Sequence, residues 1–201
     1  TEIINSIIVI SMKRLIPTLI ATLFAISAIL PAYASGPTVI RGNKAIYKES
    51  GKTCLIKYDT SEMMIEEKSS EEYIKEHGGE PFRLELEGVF AESKEHFAEK
   101  WNKLVGDGLK MVTNSSANAD YIMTIKFTSL NLGSAALAVT IGFGAGGSYF
   151  YGTVDVKNAS GEESLYVTVA KQTGRSKTKA LKRMNSLMEC FADDLLKVLK
   201  K

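Results

Sequence analysis

Three stretches in the second half of the chain alternate apolar and polar residues, and this period of two constrains the fold more than any other feature. In residues 121–128, Tyr121, Met123, Ile125 and Phe127 alternate with Ile122, Thr124, Lys126 and Thr128. Phe150, Gly152, Val154 and Val156 alternate with Tyr149, Tyr151, Thr153 and Asp155, and Leu165, Val167 and Val169 alternate with Tyr166 and Thr168. Such segments read as strands with one face in a core and the other toward water. Asn158-Ala-Ser-Gly161 joins the last two as a hairpin loop of ordinary length. Pairing Lys157 with Glu162 across it sets Tyr151 opposite Thr168 and Thr153 opposite Tyr166.

Helical periods bracket these strands. Phe90, Phe97, Trp101, Leu104 and Val105 fall within one arc, with Glu92, His96, Glu99 and Lys103 on the opposite one. Gly106-Asp107-Gly108 supplies the stop. A second helix is predicted over 176–199, with Leu181, Met184, Leu187, Met188, Phe191, Leu195 and Val198 as its apolar stripe. Upstream, Cys54, Ile56 and Tyr58 share one face of a candidate strand, and 109–112 is a short strand candidate. Phe82, Leu84 and Leu86 alternate with polar residues and predict a further strand. Residues 35–52 read as an extended lead-in, and 60–80 as an acidic, weakly periodic stretch ended by a turn at His77-Gly78-Gly79. The order predicts an α+β, two-layer domain: a mainly antiparallel sheet with two helices packed on one face.

The amino-terminal residues carry an address. Met12-Lys13-Arg14, an apolar run over 15–30 and Pro31-Ala32-Tyr33-Ala34 are the parts of a secretory signal peptide. The run is short for a bilayer span of about 20 residues and contains Pro17. Residues 1–34 are therefore expected to be a leader, with the signal at 12–34 and residues 1–11 either extra sequence or an extended leader. Residues 35–201 form the expected single domain. Ser35, not Cys, follows the cleavage point, so lipid attachment there is not expected. The expected product is soluble, exported to a periplasmic or extracellular compartment, and not transmembrane after cleavage.

The formal charge is +2, of which Glu2, Lys13 and Arg14 contribute +1, leaving the mature chain near +1. That balance, with export, argues against nucleic acid as a partner. Residues 59–80 carry eight acids against Lys68 and Lys75, whereas 171–183 carry six bases and no acid. The plain reading is two solvated faces; the sharper one sets the bases against anionic lipid. An oxidising compartment permits a Cys54–Cys190 disulfide. Cys190 sits at the flank of its helical stripe, however, which favours two separate thiols.

Sites for chemistry are sparse. Gly142-Phe-Gly144-Ala-Gly146-Gly147 satisfies the dinucleotide spacing, but a strand rather than a helix follows it, so no helix amino terminus would meet a phosphate. The segment reads instead as a glycine-rich connection, and the apolar residues 135–143 as a core strand or a flap toward a lipid or protein partner. Glu92, His96 and Glu99 share a helical face but read as solvated, and neither Cys54 nor Cys190 has a His at zinc spacing. No catalytic residue, metal ligand or cofactor is assigned, and a non-enzymatic role is expected. The feature rated highest is the Tyr–Thr face opposite the helices. Its candidate interaction surface comprises Tyr149, Tyr151, Tyr166, Thr168 and Lys126, together with Gly142, Phe143 and Gly144 of the glycine-rich segment.

ADYIMTIKFTSLNLGS and AVTIGFGAGGSYFYGTVDVKNASGEE together resemble an uncharacterised bacterial envelope family, the domain of unknown function 4410. The matching positions are Ala119-Asp120-Tyr121, the 142–146 glycines, and the turn over 155–161. This resemblance implies a periplasmic or outer-envelope location and a compact α+β domain similar to the amino-terminal domain of the Tol-system propeller protein and to curli-secretion lipoproteins. It supplies no catalytic residue. The favoured expectation is an exported binding module for an envelope protein or other envelope component. A carrier of lipid or small amphiphiles, with 135–143 as its flap and bases of 175–183 at its mouth, is the alternative. A hydrolase using carboxylates of residues 62–80 is a third. Oligomeric state is not readable from the sequence.

Overall fold

Ser35 opens the described part of the chain: a computed structural model describes residues 35–114, 118–133, 147–175 and 180–201, all within one compact unit, Ser35–Lys201. Residues 1–34, predicted to be a leader, the glycine-rich segment with Gly142, Phe143 and Gly144, and residues 176–179 lie outside the described residues. The strands are β1 (Gly36–Gly42), β2 (Thr53–Asp59), β3 (Met64–Ile65), β4 (Lys68–Ser69), β5 (Lys110–Val112), β6 (Tyr121–Asn131), β7 (Tyr149–Asn158) and β8 (Glu163–Thr173). The helices are α1 (Ser70–Glu76), α2 (Glu80–Val105) and α3 (Ala180–Leu199). The main strand order is β1-β8-β7-β6-β2-β5. The β1–β8, β8–β7 and β7–β6 pairs are antiparallel, whereas β2 pairs parallel with both β6 and β5, and β3 pairs parallel with β6. The predicted α+β architecture is therefore correct, with parallel pairing at the β2 end.

The alternating residues face as predicted. Met123, Ile125, Phe127, Phe150, Val154, Val156, Leu165 and Val167 are all at most 2% exposed. Both long helices cover that side. Phe191 of α3 meets Phe150 at 5.1 Å between ring centroids, Phe90 of α2 meets Phe127 at 5.5 Å, and Phe97 joins Phe191 at 5.7 Å. Trp101 is also buried, and its indole N–H donates to the Leu109 carbonyl at 2.8 Å. Gly152 is required where β7 crosses β6, because a Cβ there would stand 2.0 Å from the Lys126 carbonyl oxygen.

Residues 82–87 are not a strand. They lie in the first turns of α2, with Gly79 at φ 69° before it and Pro81 in its first turn. Leu84 is 62% exposed while Leu86 is buried, so the apparent alternation breaks; the spacing that matters is Phe82, Leu86, Phe90, Phe97, Trp101. The acidic stretch folds too. Ser69 caps α1 by accepting from the Glu72 N–H. Before it, Glu66 and Glu67 form a two-residue hairpin turn with φ 49° and 69°, a conformation that usually takes Asn or Gly. His77-Gly78-Gly79 is the predicted turn, with both glycines at positive φ. The lead-in is the edge strand β1, followed by a 3-10 turn over Lys44–Lys48.

The hairpin register differs from the prediction. Lys157 pairs with Glu163, and irregularities at Val156/Lys157 and Phe150/Gly152 place Thr153 opposite Thr168 and Asp155 opposite Tyr166. In the middle of the pair the displacement is an even number of residues, so every side chain keeps its face.

One end of the main sheet is capped against further strands and the other is irregular. At β5, the Asn102 side chain donates to the Met111 carbonyl at 2.9 Å and accepts from the Met111 N–H at 2.7 Å, which imitates a neighbouring strand. At β1, the ladder is irregular between Val39 and Arg41 around an outward Ile40 that is 53% exposed. Replacing Asn102 with Ala is expected to cost about 1–3 kcal/mol by urea denaturation, since a half-buried donor and acceptor lose their partner. The same variant should scatter more light with rising concentration.

Cys54 and Cys190 are separate thiols, the first fully buried and the second half-buried. Burial pushes the Cys54 thiol from its ordinary 9.0 up to about 12, and the buried Tyr58 phenol is also pushed upward. The unfolded chain releases these protons at their ordinary values while the native state retains them. Stability from this source is thus complete below about pH 9 and is lost between about pH 9 and 12. Equilibrium unfolding of a Cys54→Val variant should show a shallower decline across that window than the parent chain.

Candidate interaction surface

Parity along the strands places the candidate residues together. Tyr149, Tyr151, Thr153 and Asp155 of β7, Tyr166 and Thr168 of β8, and Thr124 and Lys126 of β6 point away from the aromatic core. Two rungs cross the sheet on this side. Thr38, Thr168, Thr153, Lys126 and Asp59 form one, and Arg41, Tyr166, Asp155, Thr124 and Lys57 form the next. Tyr151 is 39% exposed; Tyr149, Tyr166, Thr168 and Lys126 are half-buried by their neighbours. Among the described residues no third layer covers these rings. Gly142, Phe143 and Gly144 lie outside the described residues, so only the sheet part of the predicted surface is assembled.

Several side chains are held firmly. Tyr149 and Tyr151 meet edge-on with centroids 6.0 Å apart, and the Lys171 ammonium lies 5.4 Å from the Tyr149 ring. The Arg41 guanidinium covers Tyr166 at 4.2 Å while donating twice to the Glu163 carboxylate, at 2.6 and 2.7 Å. That carboxylate is held below its usual range by Arg41. Lys126 donates to Glu62 at 2.7 Å, which raises the lysine's pKa. Charges of both signs therefore alternate along the face, and neither sign dominates it.

Beside the tyrosine pair the surface becomes concave. Glu66, Glu67, Ser129, Asn131, Tyr149 and Tyr151 line a cleft of about 300 Å³. Its acidic wall is the strained β3–β4 turn, fastened to the sheet by the Glu66 N–H donating to the Leu130 carbonyl at 3.0 Å. Arg41, Glu62, Glu66 and Glu67 were not part of the predicted surface. They come from β1 and from the acidic stretch, neither of which carries a strand period strong enough to be placed beside β7.

The other candidate chemistries are distributed differently. Arg183 does not face outward as a base for anionic lipid: it is 6% exposed, and its Nε donates to the Leu132 carbonyl at 2.6 Å. His96 is not simply solvated. Its Nδ1 lies 2.9 Å from a Glu189 carboxylate oxygen, while Glu92 accepts from Asn185 at 2.8 Å, so the polar arc of α2 joins α3. Among the described residues no group of three or more His, Cys, Asp and Glu is placed to hold a metal ion. Of the carboxylates in 62–80, Glu62, Glu71 and Glu76 pair with Lys126, Arg83 and Lys68. Arg83 holds Glu71 below the usual carboxylate range, the direction opposite to that wanted in a general acid. Among the described residues no helix is long and apolar enough to cross a membrane.

Comparison with curated proteins finds no match. Among solved structures, the chain is similar to the PelC dodecamer from Paraburkholderia phytofirmans, with 14% identity and a TM-score of 0.41. A methionine-substituted PelC dodecamer from the same organism gives 12% identity and a TM-score of 0.39. In each case 80% of this chain and 97% of the other are covered. Neither likeness transfers a residue role or an assembly to this chain. Residues 101–175, from the last turns of α2 to just past β8, match the model of an uncharacterised family, Domain of unknown function (DUF4410).

Proposed function

We propose that the protein is an exported, non-enzymatic binding module of the bacterial cell envelope, and that the open face of its sheet docks a protein component there. The observation that carries this reading is the one-sided sheet. The helices cover one face, and the other presents Tyr149, Tyr151 and Tyr166 among threonines, with Tyr151 39% exposed. Tyrosine supplies large contact area with a polar tip and is favoured in interfaces. The capped β5 edge and the irregular β1 edge support a face-on rather than a strand-adding partner. The leader pattern supports export, and the family match over 101–175 is consistent with the resemblance read from the sequence. Kinship with the Tol-system propeller domain and the curli-secretion lipoproteins remains part of this proposal.

Replacing Tyr151 and Tyr166 together with Ser is expected to abolish capture of the envelope partner. The Arg41 contact that is lost is solvent-exposed, so thermal unfolding should shift by only a few degrees. A photo-crosslinking residue at position 151 should join the same partner, identified by mass spectrometry. Retained capture by the double variant overturns the reading.

A further inference from the structure

A second concavity shares the β3–β4 hairpin with the tyrosine cleft and lies between that hairpin and helices α1 and α2. Its volume is about 430 Å³, within the range of roughly 300–1,000 Å³ common for small-ligand sites. Met63, Ile74 and Leu86 form a buried apolar floor, with Phe90 and the exposed Met64 beside them. Methionine side chains adapt to irregular apolar guests. The Ser70 hydroxyl donates to the Met63 carbonyl at 2.6 Å, which satisfies two polar groups at the floor internally.

The rim is acidic. Glu62, Glu71 and Glu87 line the cavity with a single cation, Arg83. That guanidinium donates to Glu71 at 2.7 and 3.0 Å and to Glu80 at 3.1 Å, so two carboxylates already answer its charge. Glu62 is answered by Lys126 from the sheet. Counting these outer partners, four carboxylates face two cations, and the surplus is negative. A stable protein interface needs about 800 Å² from each partner, whereas this half-open, apolar-floored space suits one small molecule. The geometry points to a binding site for a small amphiphile with a cationic head group. Its apolar chain lies over Met63, Ile74 and Leu86, and its head meets Glu87 and Glu71 at the rim. The alternative carrier suggested by the sequence placed bases at the mouth; this site has the opposite sign and lies at a different place in the fold.

The test is isothermal titration of the full chain with decyltrimethylammonium below its critical micelle concentration, with decanoate and decyl maltoside as comparisons. Saturable binding of one decyltrimethylammonium per chain is expected, at least about tenfold tighter than decanoate. Met64→Trp, which fills the cavity from an exposed position, should remove it. Glu87→Lys, on the solvent side of α2, should weaken it about tenfold while leaving any decyl maltoside binding unchanged. Absence of saturable binding, equal affinity for decanoate, or unaltered binding in Met64→Trp overturns the assignment. Glu87→Lys lies on α2, outside the tyrosine face, so its outcome is independent of partner capture there; Met64 stands in register with Ser129 beside Tyr151, so Met64→Trp is read by titration alone.

Discussion

The contact on which the rest of the structure depends is the meeting of Phe191, Phe97 and Phe150, one ring from each long helix and one from the middle of the sheet. With Phe127 at 4.9 Å from Phe150, these rings fix both helices to the same side of β6 and β7. Aromatic side chains bury large areas and pack in tilted and edge-to-face geometries, which gives the layer direction as well as stability. Strand parity does the remainder. Once Phe127, Phe150 and Val167 point inward, Lys126, Tyr151 and Tyr166 must point outward.

That dependence explains what could be read in advance. β6, β7, β8 and α3 each carry a strong single period, so their existence and buried faces were legible from spacing alone. The segment that begins α2 shows competing periods: Phe82, Leu84 and Leu86 suggest a strand, while Phe82, Leu86 and Phe90 suggest a helix. Pro81 and the positive φ of Gly79 decide in favour of the helix, and the 62% exposure of Leu84 shows which period was accidental. β1, β3, β4 and α1 are too short or too polar to show a period. They are held by partners distant in sequence, as when β1 lies along β8.

The same division holds for the surface. Tyr149, Tyr151, Tyr166, Thr168 and Lys126 could be assigned to one face because each lies on a strongly alternating strand. Their exact opposites could not, since two irregularities in the β7–β8 ladder shift the pairing without changing parity. The Arg41–Tyr166–Glu163 group, the Lys126–Glu62 pair and the acidic turn at Glu66–Glu67 were illegible for a different reason. Each joins an element with a clear period to one without. Charge runs misled in the same way: Arg183 belongs to a basic run in sequence but caps a core carbonyl in space.

The central claim is that the face opposite the helices, which no described residue covers, leaves the tyrosines open to water and to the proposed partner. Hydroxyl-radical footprinting of the native full chain tests this most directly, because it reads side-chain access residue by residue. Tyr151 should be oxidised fastest, followed by Tyr149 and Tyr166, with Phe97, Phe127, Phe150 and Phe191 protected until the protein unfolds. Tyrosines as protected as those phenylalanines would show that another layer covers the face, and would contradict the account.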